Sequence, residues 1–247
     1  MPKYGCLCIS GLTTVLFFLN GNCQTAYSSD SVFYHNAISN VKATFFSALK
    51  EKSNLYNGAA YDAYGHGASG TPFFIADTIV KGPVFYDGFL YEDVPLKYDM
   101  VNDELLSTYY YDNSLLRLVK NKVGYFYIGG HYFIRLDENE KNLADPSGFC
   151  ELLYNDKKTL VLAKRTKKLQ LSANAEDRSS VFVQYNQYFV YKDNQYLPVN
   201  SEGDLIKIFN DKAQEIKNFM RGKKIRYKKN TEQAIVTVAS FYNGLTK

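Results

Sequence analysis

Histidine is the side chain best suited to bind a metal or move a proton near neutral pH, and this sequence has three, His35, His66 and His131. No two of them stand at H-x3-H or H-E-x-x-H spacing, so no metal site is expected. Ser69 lies close to His66, but neither a G-x-S-x-G elbow nor an S-x-x-K pair is present to activate a nucleophile. The run Gly65-His66-Gly67-Ala68-Ser69-Gly70 matches G-x-G-x-x-G letter for letter. A phosphate-binding turn of that kind must leave a strand and open a helix. Here a helix and a coil precede the run and Thr71-Pro72-Phe73-Phe74 follows it, so the phosphate reading is rejected. No catalytic residue, metal ligand or cofactor is assigned.

Carboxylates come next. Tyr-Asp recurs at Tyr86-Asp87, Tyr98-Asp99 and Tyr111-Asp112. The spacing equals one strand plus one turn, where aspartate bonds its own backbone and tyrosine covers the sheet, so these pairs read as structural. Asp99 and Asp103 form a weak carboxylate pair, with Asp99 on the polar face of a strand. Cys150, flanked by Phe149, Leu152 and Leu153, reads as a small buried hydrophobe and not as a reactive thiol.

The sharpest shift in composition is in charge. Between Asp211 and Lys229 eight basic residues face two acidic ones, Asp211 and Glu215. Lys212 and Lys217 belong to the helical part of this stretch. Arg221, Lys223, Lys224, Arg226, Lys228 and Lys229 form the tail, the candidate partner-binding residues. A solvated helix end explains such a run, since cations are favoured at helix C-termini. The functional reading is a surface for an anionic envelope component or for another protein. Nucleic acid is not expected, given a net charge of only +4 and an exported start.

The elements that must position these groups are mostly strands. Asp87-Gly88 between Val84-Phe85-Tyr86 and Phe89-Leu90-Tyr91 marks a tight hairpin. Val94, Leu96, Tyr98 and Met100 then alternate with Pro95, Lys97 and Asp99, a half-buried strand. Further short strands follow over 105–111, 115–120, 123–128, 131–136, 150–154 and 159–164. A meander over 181–185, 187–191 and 195–199 turns at Asn186 and at Asp193-Asn194. After Pro198 the period becomes helical. Leu205, Ile206 and Phe209 mark one segment, Ile216, Phe219 and Met220 a second, and Thr231 caps a third, with Gly222 and Gly244 as stops. Ile38, Val41, Phe45 and Leu49 predict an N-terminal helix over 32–52. The fold class is α+β: a mainly antiparallel curled sheet or open barrel, with an N-terminal helix and C-terminal helices closing one side.

The chain has 247 residues, of which 22 are tyrosine, 17 phenylalanine and none tryptophan. Tyrosines spread through every strand read as sheet packing in preference to a carbohydrate platform. Residues 1–23 have one charge, Lys3, an apolar run from Cys6 to Leu19 and a small-residue exit at Gly21-Asn22-Cys23. That pattern predicts a signal peptide, too short to span a membrane, and hence no transmembrane span after its removal. Residues 24–247 read as a single domain, since no Pro/Gly/Ser linker divides them.

Leu55-Tyr56-Asn57-Gly58, Pro72-Phe73-Phe74, Gly82 to Gly88, Tyr91 to Asp99 and the basic helical tail together resemble a family of uncharacterised exported β-rich proteins of outer-membrane bacteria. The resemblance implies a periplasmic or cell-envelope location. The expected function is that of a non-catalytic envelope protein binding a partner or surface. The alternative is a periplasmic carrier of an apolar ligand or lipoprotein, with the ligand held inside the curled sheet.

Overall fold

A computed structural model of the chain describes residue 55 and residues 57–245, apart from 63, 65–67, 110–111, 140–144, 157 and 172–179. The signal segment, the helix expected over 32–52, His35 and His66 lie outside the described residues. The described residues all belong to one compact unit, Lys50–Lys247.

They form twelve strands and three α-helices. The strands are β1 (Ala59–Ala60), β2 (Ala68–Ser69), β3 (Val80–Tyr86), β4 (Phe89–Asp99), β5 (Glu104–Thr108) and β6 (Leu115–Arg117). Then come β7 (Val123–Ile128), β8 (His131–Leu136), β9 (Gly148–Asn155), β10 (Leu160–Leu171), β11 (Ser180–Lys192) and β12 (Gln195–Pro198). The helices are α1 (Glu202–Ile208), α2 (Ala213–Gly222) and α3 (Thr231–Leu245). No helix among the described residues is long and apolar enough to cross a membrane, which says nothing of strands.

Turn chemistry dictates the hairpins. Asp87 and Gly88, Gly129 and Gly130, and Asp193 and Asn194 all have φ between 50° and 85° at both central positions. A two-residue loop needs that conformation if its twist is to match the flanking strands. The sheet runs β1-β6-β5-β4-β3-β7-β8-β9-β10-β11-β12, antiparallel along this path, with β2 alone adding a short parallel pair to β11. It curls without closing. Lys167 N–H donates to Met100 O at 3.1 Å, and the segment 72–74 bonds the end of β4 through Phe74 N to Tyr98 O and Met100 N to Pro72 O. These contacts bring β10 against the end of β4.

Register places Tyr91, Val84, Phe126, Phe133, Glu151, Ala163 and Tyr188 in one row across seven strands. Phe126 and Phe133 of this row pack ring on ring with Tyr98 and Phe149, with centroids 5.0–5.8 Å apart. The helices cover the later strands: Leu205, Phe209, Ile216, Met220, Ile235, Val238 and Ala239 bury against Val161 and Val190. Removing apolar surface of this kind from water contributes about 25 cal/mol per Å².

Three expectations need correction. The second face of β4 is not half solvated, because Lys97 and Asp99 are both buried. Lys97 pairs with Asp77 and lies 3.9 Å from the centre of the Phe73 ring, so residues upstream of the strand cover that face. Asn186 makes no turn: β11 runs through it, paired to Arg165 in an unbroken ladder. A single asparagine does not turn a strand when neither neighbour favours a left-handed backbone. The cap of α3 is Asn230, whose Oδ1 accepts from Gln233 N at 3.1 Å; Thr231 is the first helical residue, and Gly244 lies inside the helix.

Candidate functional site

The basic tail begins with Arg221 in the last turn of α2 and continues through the connection to α3. Ile216 and Met220 bury one side of α2, and Phe219 stacks on Phe241 of α3 with centroids 3.9 Å apart. The helix ends as the chain turns through Lys224, at φ 53°. Lys223 N bonds Phe219 O at 2.9 Å and Ile225 N bonds Met220 O at 2.9 Å, satisfying the last carbonyls. Beyond this cap, Tyr227 is buried and its hydroxyl donates to Val199 O at 3.1 Å. The Thr231 hydroxyl donates back to Tyr227 O at 3.1 Å. The backbone of the connection is therefore held at both ends and in the middle.

Its charged side chains are not held. Arg221, Lys223, Lys224, Arg226, Lys228 and Lys229 are all exposed, and none enters an ion pair among the described residues. The two acids of the stretch are occupied elsewhere. Asp211 accepts from the Tyr242 hydroxyl at 3.0 Å and faces Lys192 at 3.7 Å, while Glu215 pairs with Lys212 at 3.5 Å. Within the connection the positive charge is uncompensated, and the α2 C-terminus adds the negative end of its dipole only at the first of these residues.

Charges inside the sheet are treated differently. Asp99 accepts from the hydroxyls of Tyr61 at 3.0 Å and Tyr64 at 2.9 Å, and from Val101 N at 2.8 Å. Burial first, then the Asp99 carboxylate, raises both phenols above their ordinary value. Asp103 accepts from the Tyr98 hydroxyl at 2.6 Å and from two lysines, Lys120 at 2.7 Å and Lys164 at 2.8 Å. Burial alone would raise its carboxyl, but the Lys164 charge and hydrogen bonds from Lys120, Lys164 and Tyr98 hold it below the ordinary range. A Cβ on Gly148, at φ +71°, would fall 1.9 Å from Asp103 Oδ2, so only glycine fits there. The Asp99 and Asp103 carboxylates thus hold separate partner sets and do not act as a pair.

His131 joins a network that sequence reasoning missed. Its Nδ1 lies 2.5 Å from Glu151 Oε1, Glu151 also pairs with Arg165, and Arg165 reaches Glu232 of α3 at 2.8 Å. The cue in the sequence is Glu151 inside the apolar stretch Phe149-Cys150-Glu151-Leu152-Leu153, a charge that must be partnered once buried. Cys150 is fully buried, and burial pushes its thiol up to about 12. Asp87 and Asp112 serve turns: Asp87 sits in the β3–β4 hairpin, and Asp112 accepts from Ser114 N at 2.9 Å. Ala68 and Ser69 of the glycine run are strand, not the first turn of a helix. Among the described residues no group of three or more His, Cys, Asp or Glu side chains is placed to hold a metal ion.

Comparison with protein-family models, with curated proteins and with solved structures finds no match for this chain.

Proposed function

We propose that this is an exported, non-catalytic protein of the cell envelope that docks on an anionic envelope component through the loop 221–229. The observation that carries the reading is the set of six exposed cations on a braced loop, none paired with an anion among the described residues. Exposed charges contribute little to folding, whereas a one-sign patch raises the local concentration of an oppositely charged partner. The leader pattern in residues 1–23 supplies the expected location.

The carrier alternative loses support from the interior. Tyr98, Phe126, Phe133 and Phe149 are each no more than 1% exposed and touch one another. Rings packed this way occupy the space that an apolar ligand of several hundred Å³ would need.

The test reverses Lys223, Lys224, Lys228 and Lys229 to glutamate and follows the protein through envelope fractionation at low and high salt. The wild type is expected in the envelope fraction at low salt and released as the Debye length falls below about 8 Å. The variant is expected in the soluble fraction with an unchanged melting temperature. A folded variant that still co-fractionates at low salt would overturn the reading.

A further inference from the structure

The other large surface feature lies on the sheet, on the face opposite the packed rings. Register sets Leu90, Phe85, Tyr125 and Ile134 side by side across β4, β3, β7 and β8, and pairs Tyr127 with Tyr132. Phe85 stacks flat on Tyr125 at 5.2 Å and Tyr127 on Tyr132 at 4.4 Å. Tyr125 and Tyr132 meet at 69° with centroids 5.5 Å apart, so two aromatic walls form a corner. These tyrosines open into a cleft of about 500 Å³.

The far wall of the cleft is acidic, and the backbone explains why. Pro83 has no N–H to give the ladder, and the β3–β4 register shifts at that point. Glu92 and Asp93 of β4 lie across from it, Asp93 in a left-handed conformation at φ 54°. A bulge places two residues against one and re-aims their side chains, and both acidic residues line the cleft. No lysine, arginine or histidine lines it. Glu92 and Asp93 are exposed and enter no ion pair among the described residues.

We infer that this cleft binds a small organic cation, an ammonium head on an apolar stem. Aromatic faces attract cations through their quadrupoles, and tyrosines meeting at an angle offer more than one such wall. Two uncompensated carboxylates supply the complementary charge and select against anions. A neutral sugar would gain stacking but leave both carboxylates without a counter-charge. The inference is independent of the loop 221–229, which lies on other elements.

The test titrates the purified full chain by calorimetry with choline, with its neutral isostere 3,3-dimethylbutan-1-ol, and with cellobiose. Choline is expected to bind at least about tenfold more tightly than the isostere, the margin a desolvated cation–π contact provides. The double variant Glu92→Gln/Asp93→Asn should lose about tenfold in choline affinity, and Tyr127→Ala should lose a similar factor. Both changes are at exposed positions, and retained melting temperatures would show that the fold is intact. Equal affinity for choline and its isostere would overturn the inference, as would undiminished choline binding by Glu92→Gln/Asp93→Asn. Binding of cellobiose without choline would reassign the cleft to neutral sugars, and binding of no probe would also overturn the proposal.

Discussion

Asp103 and the loop 221–229 hold charge in opposite ways. The Asp103 side chain is 17% exposed and is touched by Lys120, Lys164, the Tyr98 hydroxyl and Phe149 N. The six loop cations are exposed and pair with no anion among the described residues. A buried carboxylate without partners would cost several kcal/mol in lost hydration, so the fold must surround it. An exposed lysine keeps its water and makes no such demand. Charge that the fold requires is thus recognisable by its partners, and charge left without partners is available for something outside the chain.

The largest expected effect is at the partnered end. Asp103→Asn removes one side of a partly buried pair together with several charge-assisted hydrogen bonds, leaves Lys164 at 14% exposure without its anion, and should cost about 3 kcal/mol at neutral pH. Gly148→Ala should approach the same loss by displacing that carboxylate. The pH dependence has a definite sign. Because the folded carboxyl lies below the ordinary range, its contribution is complete above about pH 3.9 and is lost as pH falls through the lower folded value. Denaturant titrations from pH 7 to pH 2 should therefore show the gap between wild type and Asp103→Asn closing only at the acid end. A gap constant across that range would mean that Asp103 is not held as its contacts imply.

A smaller effect is expected where the constraint is backbone alone. Gly88, at φ +84°, faces open space where a side chain would begin, so Gly88→Val introduces conformational strain and no clash. A loss of about 1–3 kcal/mol in chemical denaturation would match that. An unchanged midpoint would show that the hairpin tolerates a branched residue in a left-handed turn.

The smallest effect belongs to the unpartnered end. Reversing Lys223, Lys224, Lys228 and Lys229 to glutamate should change stability by no more than about 0.5 kcal/mol per site, as surface substitutions do. A cooperative loss of several kcal/mol would erase the contrast with Asp103 and make the loop a structural element.

Local signals explain what the sequence revealed. Asp87-Gly88, Gly129-Gly130 and Asp193-Asn194 each announce a hairpin, because two adjacent residues tolerant of positive φ are a short-range instruction. The three C-terminal helices follow from apolar spacing and lie where it placed them. The six cations were legible as a charge run, though their freedom from anions depends on Asp211 and Glu215 finding partners elsewhere. What escaped was non-local. Nothing around Lys97 and Asp99 reveals that Asp77, Tyr61 and Tyr64 would cover them from 20 to 38 residues away. The cleft escaped for the same reason: no local signal singles out Glu92 and Asp93, and tyrosines spread through the strands, Tyr125, Tyr127 and Tyr132 among them, read as sheet packing. Only the pairing of β3 with β7 brings them together.

That pairing also divides the sheet into two runs of sequentially paired strands. Strands β3 to β6 pair in sequence with their neighbours, as do β7 to β12, so each group can form through local contacts. Between those two runs, the ladder joining Tyr86 to Val123 must close the whole intervening segment. Loop-closure entropy weighs on this closure, but it grows by only about 0.6 kcal/mol for each doubling of length. The exposed turn at Asp112 and Asn113 lies inside that segment. It is accordingly a place where the chain can accept inserted sequence at little thermodynamic cost, while the two meanders on either side keep their own pairing.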